Sequence, residues 1–163
     1  MGLTEEKNPV SEESGGGRRV LPPVYFLAAF IAMGLLHRFL PGAQILAGPV
    51  RFLGLPVLVA GLSLVLWAAG LFRRAGTTIR PFEESTALVV DGPYRFSRNP
   101  IYSGMAIGLI GIGVLLGSAS PFAVIPMFVV VIGMRFIRAE EAALEKRFGA
   151  VYREYASRVR RWL

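Results

Sequence analysis

Five polar side chains of complementary chemistry fall within nine positions of this sequence: Tyr94, Arg95, Arg98, Asn99 and Tyr102. Asp91, Gly92 and Pro93 before them are turn residues: Asp tolerates unusual backbone angles, Gly permits positive φ, and Pro cannot continue a preceding helix. Asn99-Pro100 reads as a helix start, with Asn as the N-cap and Pro in the first turn, where its missing N–H costs nothing. A helix starting there points free N–H groups and its positive end back at Arg95 and Arg98. The result is a corner suited to a carboxylate or phosphate. Holding lipid headgroups is an equal use for the same arginines.

A second polar group follows two apolar stretches later, the adjacent carboxylates Glu140 and Glu141. Carboxylates at the end of an apolar span are costly unless paired or functional. A ligand with a carboxylate, an ammonium, a ribose diol and a cationic centre satisfies both groups together, and S-adenosyl-L-methionine is such a ligand. Its carboxylate suits arginine, its ammonium and ribose hydroxyls suit glutamate, and its sulfonium suits tyrosine faces. Salt bridges from the Glu pair to Arg135 or Arg138 at helical spacing are the competing reading.

The elements that must position these groups are apolar. The 163 residues are 53% hydrophobic and carry a formal net charge of +7. There is no cysteine and one histidine, so disulfides, thiolate metal sites and a Cys nucleophile are excluded and no metal site is expected. Residues 1–20 are polar and read as a disordered tail rather than a secretory signal. The remainder, 21–163, reads as one all-α, polytopic membrane domain. Its expected spans are 22–40, 52–72, 101–116 and 120–136, joined by a polar linker over 73–100 that includes Thr77, Thr78, Arg80, Glu83 and Glu84. Gly54, Gly61 and Gly70 in the second span can permit close helix contact, as can Gly104, Gly108, Gly111 and Gly113 in the third. His37 marks the far end of the first span as an interfacial residue. Leu144, Phe148, Val151 or Tyr152, and Tyr155 form an apolar stripe on an amphipathic helix over 138–158 that continues from the fourth span or lies under it.

Every lysine and arginine except Arg38 and Arg51 falls in the tail, the linker or the C-terminal region. With four spans, the positive-inside rule puts both termini and the linker in the cytoplasm, at the inner membrane of the cell. It also puts 91–99 and the Glu pair at one membrane face. The basic residues flank apolar spans rather than clustering on a soluble face, so membrane lipids are the expected partner and nucleic acid is not.

Two linked stretches resemble a known superfamily. GPYRFSRNPIYSG and the later EEAALEKRFGAVYREYASRVRRW are similar to the signatures of the isoprenylcysteine carboxyl methyltransferases and phospholipid methyltransferases. The first family pattern, Arg-His-Pro-x-Tyr-x-Gly, meets Arg98, Asn99, Pro100, Tyr102 and Gly104. The second meets Glu140, Glu141, Leu144, Phe148, Gly149, Tyr152, Tyr155, Arg158 and Val159. The resemblance implies S-adenosyl-L-methionine as cofactor in a cytosolic-side pocket open to the lipid. It implies that Tyr94, Arg98, Asn99, Tyr102 and Gly104 line that pocket from one side and Glu140 and Glu141 from the other. Arg98, Arg158 and Glu141 are then the candidate catalytic residues, the arginines at the polar end of a lipid-like substrate drawn from the bilayer. One departure stands out: the motif histidine is Asn99, which bonds and caps but cannot shuttle a proton at neutral pH.

The implied reaction is methyl transfer, as carboxyl O-methylation of an isoprenylcysteine-type compound or N-methylation of a phosphatidylethanolamine-type lipid. A carboxylate nucleophile needs an arginine to orient it and no base. An ammonium must first lose a proton, and Glu141 is the candidate acceptor. A non-enzymatic four-helix scaffold is the reading from a different class.

Overall fold

The computed structural model describes residues 21–76 and 87–163; the expected tail over 1–20 and the linker residues Thr77, Thr78, Arg80, Glu83 and Glu84 lie outside them. The described residues are helical, with two isolated bridges and no strand among them. Helix α1 is Pro22–Phe39, α2 Gly54–Arg74, α3 Pro100–Leu116, α4 Val124–Ile132, α5 Arg138–Phe148 and α6 Ala150–Arg158. Three stretches are long and apolar enough to cross a membrane: Pro22–Phe39, Gly48–Arg74 and Ser120–Phe148. α3 is equally apolar but has 17 residues, which spans roughly 25 Å. Leu27, Phe30, Ile31 and Leu35 of α1 and Leu55, Val59, Leu62 and Leu66 of α2 are all outward-facing and exposed. Apolar surface of that extent belongs in lipid, and the chain is an integral membrane protein.

The core is built in two ways. α1, α3 and α4 meet through side chains: Met33, Leu109 and Ile132 are fully buried, and Phe26 meets Phe128 edge-on at 6.4 Å between ring centres. α2 and α3 meet backbone to backbone. A Cβ at Gly61 would lie 2.6 Å from the Gly104 carbonyl oxygen, and one at Gly111 would lie 2.5 Å from the Leu58 nitrogen. Without a hydrophobic drive between helices in lipid, such close approach supplies the van der Waals contact that holds them. Gly70 has nothing within 4 Å of its Cβ position and takes no part in that seam.

Two departures from regular helix shape the C-terminal half. The fourth apolar stretch starts as a 3-10 turn, Ser120–Ala123, and Pro126 falls in the first turn of α4, where an N–H is dispensable. A π turn, Gly133–Ile137, then joins α4 to α5 without interrupting the helix. Its extra residue rotates everything beyond it about the axis, a device common at functional sites. The amphipathic helix expected as one piece over 138–158 is broken at Gly149, which takes φ 53° between α5 and α6. Left-handed backbone of that kind favours glycine, and the break folds α6 back toward the start of α3.

Candidate functional site

Both polar groups read from the sequence arrive at one end of the bundle. The connection after α2 makes a 3-10 turn, Gly92–Arg95, with Gly92 at φ 60°. It buries Tyr94, whose ring meets Phe72 of α2 edge-on at 5.5 Å. The Tyr155 hydroxyl of α6 donates to the Tyr94 carbonyl at 2.8 Å. Burial pushes the Tyr94 phenol far above its ordinary range, and Tyr155 and Glu140 add to that. Burial, and then Tyr152, push the Tyr155 phenol up to about 12, against the opposing charge of Arg98.

The carboxylates are held differently. Tyr102 of α3 donates to Glu140 Oε1 at 2.6 Å. Glu141 is gripped by two arginines. Arg161 donates from Nε to Oε1 at 3.0 Å and from Nη2 to Oε2 at 2.6 Å, the bidentate fork that makes such pairs strong. Arg98 Nη1 lies 3.3 Å from Oε1, and the Arg98 and Glu141 side chains are 17% and 14% exposed. Glu141 in turn holds the Arg161 guanidinium in its charged form. Tyr152 of α6 is buried beside this cluster; burial and Glu141 push its phenol up, with Arg98 opposing.

Some expected residues are elsewhere. Arg95 pairs with Asp91 at 3.1 Å on the exposed side of its turn and is not part of an anion corner with Arg98. Arg158 is exposed and pairs with Glu154 one turn away along α6. Gly104 faces the Gly61 carbonyl and Val65 of α2, so its small size serves helix contact. Asn99 occupies the N-cap position of α3 but makes no side-chain cap bond; its Nδ2 donates instead to the Arg161 carbonyl at 3.0 Å. His37 is at the opposite end, its Nδ1 2.7 Å from Ser118 Oγ.

Arg161 is the residue that sequence reasoning missed. In the run Arg158, Arg160, Arg161 nothing in composition separates the three. The chain leaves the helix at Val159, whose backbone is extended at φ −116° and ψ 133°, and only that geometry turns Arg161 onto Glu141.

A cofactor carrying a carboxylate and an ammonium fits this donor set. Arg98 and Tyr152 lie against each other, yet Arg98 Nε and the Tyr152 hydroxyl are buried without a well-formed hydrogen bond. Buried donors left under-satisfied are costly, so this pair suits an incoming anionic oxygen. Glu140, engaged on one oxygen by Tyr102, offers an acceptor for ammonium or hydroxyl groups.

Comparison with known proteins follows the same lines. A sequence model described as phospholipid methyltransferase matches residues 50–151. The chain is 42% identical over 81 residues to a protein of Arabidopsis thaliana named protein-S-isoprenylcysteine O-methyltransferase B, covering 47% of this chain and 39% of the plant protein. The chain thus spans well under half of that relative's length. It is 35% identical over 63 residues to an uncharacterized protein of Haemophilus influenzae, covering 39% of this chain and all of that one. No solved structure matches significantly.

Proposed function

This chain belongs to the phospholipid methyltransferase family, and from that premise we propose that it transfers a methyl group to the carboxylate of a lipid-like substrate at the charged end of the bundle. S-Adenosyl-L-methionine supplies the methyl group on a cationic sulfur that leaves as a neutral thioether, so no general acid is required. Glu140, set by Tyr102, would accept the ammonium or ribose hydroxyls of that donor, with the buried Tyr94 beside it. Arg98 Nε and the Tyr152 hydroxyl, buried and without a well-formed bond, would donate to a carboxylate. The protein's work is then to position two reactants and keep water from between them.

The observation that carries carboxyl methylation is the state of Glu141. Both of its oxygens already accept from Arg161, and Arg98 lies against one of them. A carboxylate committed to two guanidinium groups is a poor acceptor for the proton that an ammonium nucleophile must shed. A carboxylate nucleophile sheds none. An isoprenylcysteine-type compound is the substrate class that the named plant relative supports, and a phosphatidylethanolamine-type amine is the one that the family description supports. The charged end is placed at the cytosolic face, with the protein multi-pass in the inner membrane, because the arginines of the connections gather there.

The deciding experiment incubates the protein in native lipid with methyl-labelled S-adenosyl-L-methionine and extracts into organic solvent. Label in the lipid phase that alkali releases as methanol is the expected result. Alkali-stable label travelling with phospholipid would mean amine methylation. No transfer and no cofactor binding by calorimetry would mean a scaffold.

A further inference from the structure

Residues 159–163 leave α6 at the extended Val159 and cross the start of α3 as a strap. They are tied to residues 97–99 by a small set of bonds. Arg98 N donates to the Arg160 carbonyl at 2.8 Å, and Ser97 and Arg160 form a parallel bridge. Asn99 Nδ2 donates to the Arg161 carbonyl at 3.0 Å, and Ser97 Oγ lies 3.5 Å from that same oxygen, at the limit of a hydrogen bond. Ser97 is itself held from both sides, accepting from Asn99 N at 3.1 Å and facing Ser103 Oγ at 3.4 Å. Beyond the tie, Trp162 packs against the buried core.

Of the two side chains that reach the Arg161 carbonyl, Asn99 makes the shorter bond. Ser97 and Asn99 are both buried, and an amide there without an acceptor would carry a desolvation cost. The same residue whose carbonyl takes the Asn99 amide presents its guanidinium to Glu141. Fixing that carbonyl fixes the Cα from which the guanidinium reaches. The family match ends at residue 151, before the strap begins.

We infer that Asn99 is a positioning residue: its side-chain amide anchors the strap 159–163, and through it sets the Arg161 guanidinium on Glu141 and leaves Arg98 and Tyr152 open to a ligand. Its bearing on the reaction rests on the methyl-transfer reading above; the anchoring itself does not. Asn99 acts through Arg161 and need not touch the reacting atoms. The amide is a fixed donor with no titration in the working range, so the anchor is indifferent to pH where a histidine would not be.

The test uses the full chain in lipid nanodiscs with Trp67→Phe, which leaves Trp162 as the one indole of two. Acrylamide quenching of Trp162 reads whether the strap is docked, and label transferred from S-adenosyl-L-methionine to extracted lipid reads the reaction. Asn99→Asp keeps the size and removes the donor. Quenching should rise toward that of a free indole, and transfer should fall about 10²-fold, the loss that a misplacement on the order of 1 Å brings. Asn99→Ala, which removes the donor and adds no charge, should behave alike. Asn99→His offers a ring N–H to the same carbonyl and should return quenching to the parent value. Unchanged quenching in both Asn99→Asp and Asn99→Ala overturns the anchoring. A released strap with parent-level transfer overturns the positioning role and leaves the methyl-transfer reading intact. A parent without transfer whose strap is still released by Asn99→Asp fails that reading alone and supports the anchor.

Discussion

At one end of the bundle the chain after α1 folds over the α3–α4 turn. At the other, the strap after α6 folds over the start of α3. Both closures use backbone bonds. Ile45 and Leu46 donate to the Gly117 carbonyl at 2.9 and 3.0 Å, much as Arg98 donates to Arg160. The side chains differ. The first end adds His37 against Ser118 and Gln44 Nε2 on the Leu46 carbonyl, and it leaves the buried Ser120 hydroxyl without a partner. The second adds a cluster of charged and phenolic groups, Arg98, Glu141, Arg161, Tyr102, Glu140 and Tyr152. Closing a helix turn needs only backbone partners, and the first end adds few side-chain bonds to them. A half-buried charge cluster exceeds what closure requires, and that excess is what supports placing the proposed site at the second end.

The sharpest way to break this contrast is to remove charge from one end and the polar pair from the other. Glu141→Gln leaves Arg98 and Arg161 facing each other, and methyl transfer is expected to fall about 10²-fold or more through lost positioning. His37→Ala should leave transfer within about twofold and cost about 0.5–1.5 kcal/mol of stability, the net worth of one hydrogen bond. Labelled-methyl assays and detergent unfolding of both variants decide it; equal losses of transfer would abolish the distinction between the ends.

A smaller loss should follow from the neighbouring contacts. Tyr102→Phe removes one bond to a carboxylate, a type worth about 1.5–3 kcal/mol, so turnover should drop about tenfold or more. Arg161→Gln should cost more turnover than Arg158→Gln, because Arg161 reaches Glu141 and Arg158 reaches only Glu154. A larger loss from Arg158→Gln would return that residue to the site.

The helix seam separates packing from chemistry. Gly111→Ala places a methyl against the Leu58 backbone and should destabilise the fold by about 1–3 kcal/mol. Gly70→Ala meets nothing and should shift stability by no more than about 0.5 kcal/mol. Thermal unfolding in micelles compares the two.

The smallest effect concerns pH. The Tyr155 phenol rises from 10.0 in the unfolded chain to about 12 in the fold. The native state therefore keeps a proton that the unfolded chain loses in this interval. The stabilisation is fully present below pH 10 and is lost as pH climbs from there toward 12. Tyr155→Phe should flatten that part of the stability profile. An unchanged slope would mean that burial does not raise the Tyr155 phenol in the fold.

The all-α membrane architecture was legible because apolar runs near bilayer length, bounded by prolines and arginines, admit little else. The meeting of Arg98 with Glu141 was legible in outline, since arginine counts put both at one face. The turn at Gly92 followed from residue type, and its φ of 60° is the backbone that glycine permits. Other features had no local signature. Asn99 has the chemistry of a cap, yet a carbonyl sixty-two residues away takes its amide. Gly104 fits a pocket motif, yet it lies on the α2 seam. The π turn at Gly133–Ile137 and the choice of Arg161 over Arg158 depend on where α6 ends and what it meets. Hydropathy and charge sum along the chain, so sequence determined the apolar helices and the gathering of charge at one end. Hydrogen bonds depend on direction within a few tenths of an ångström, so only the folded chain could decide which donor each carboxylate and carbonyl receives.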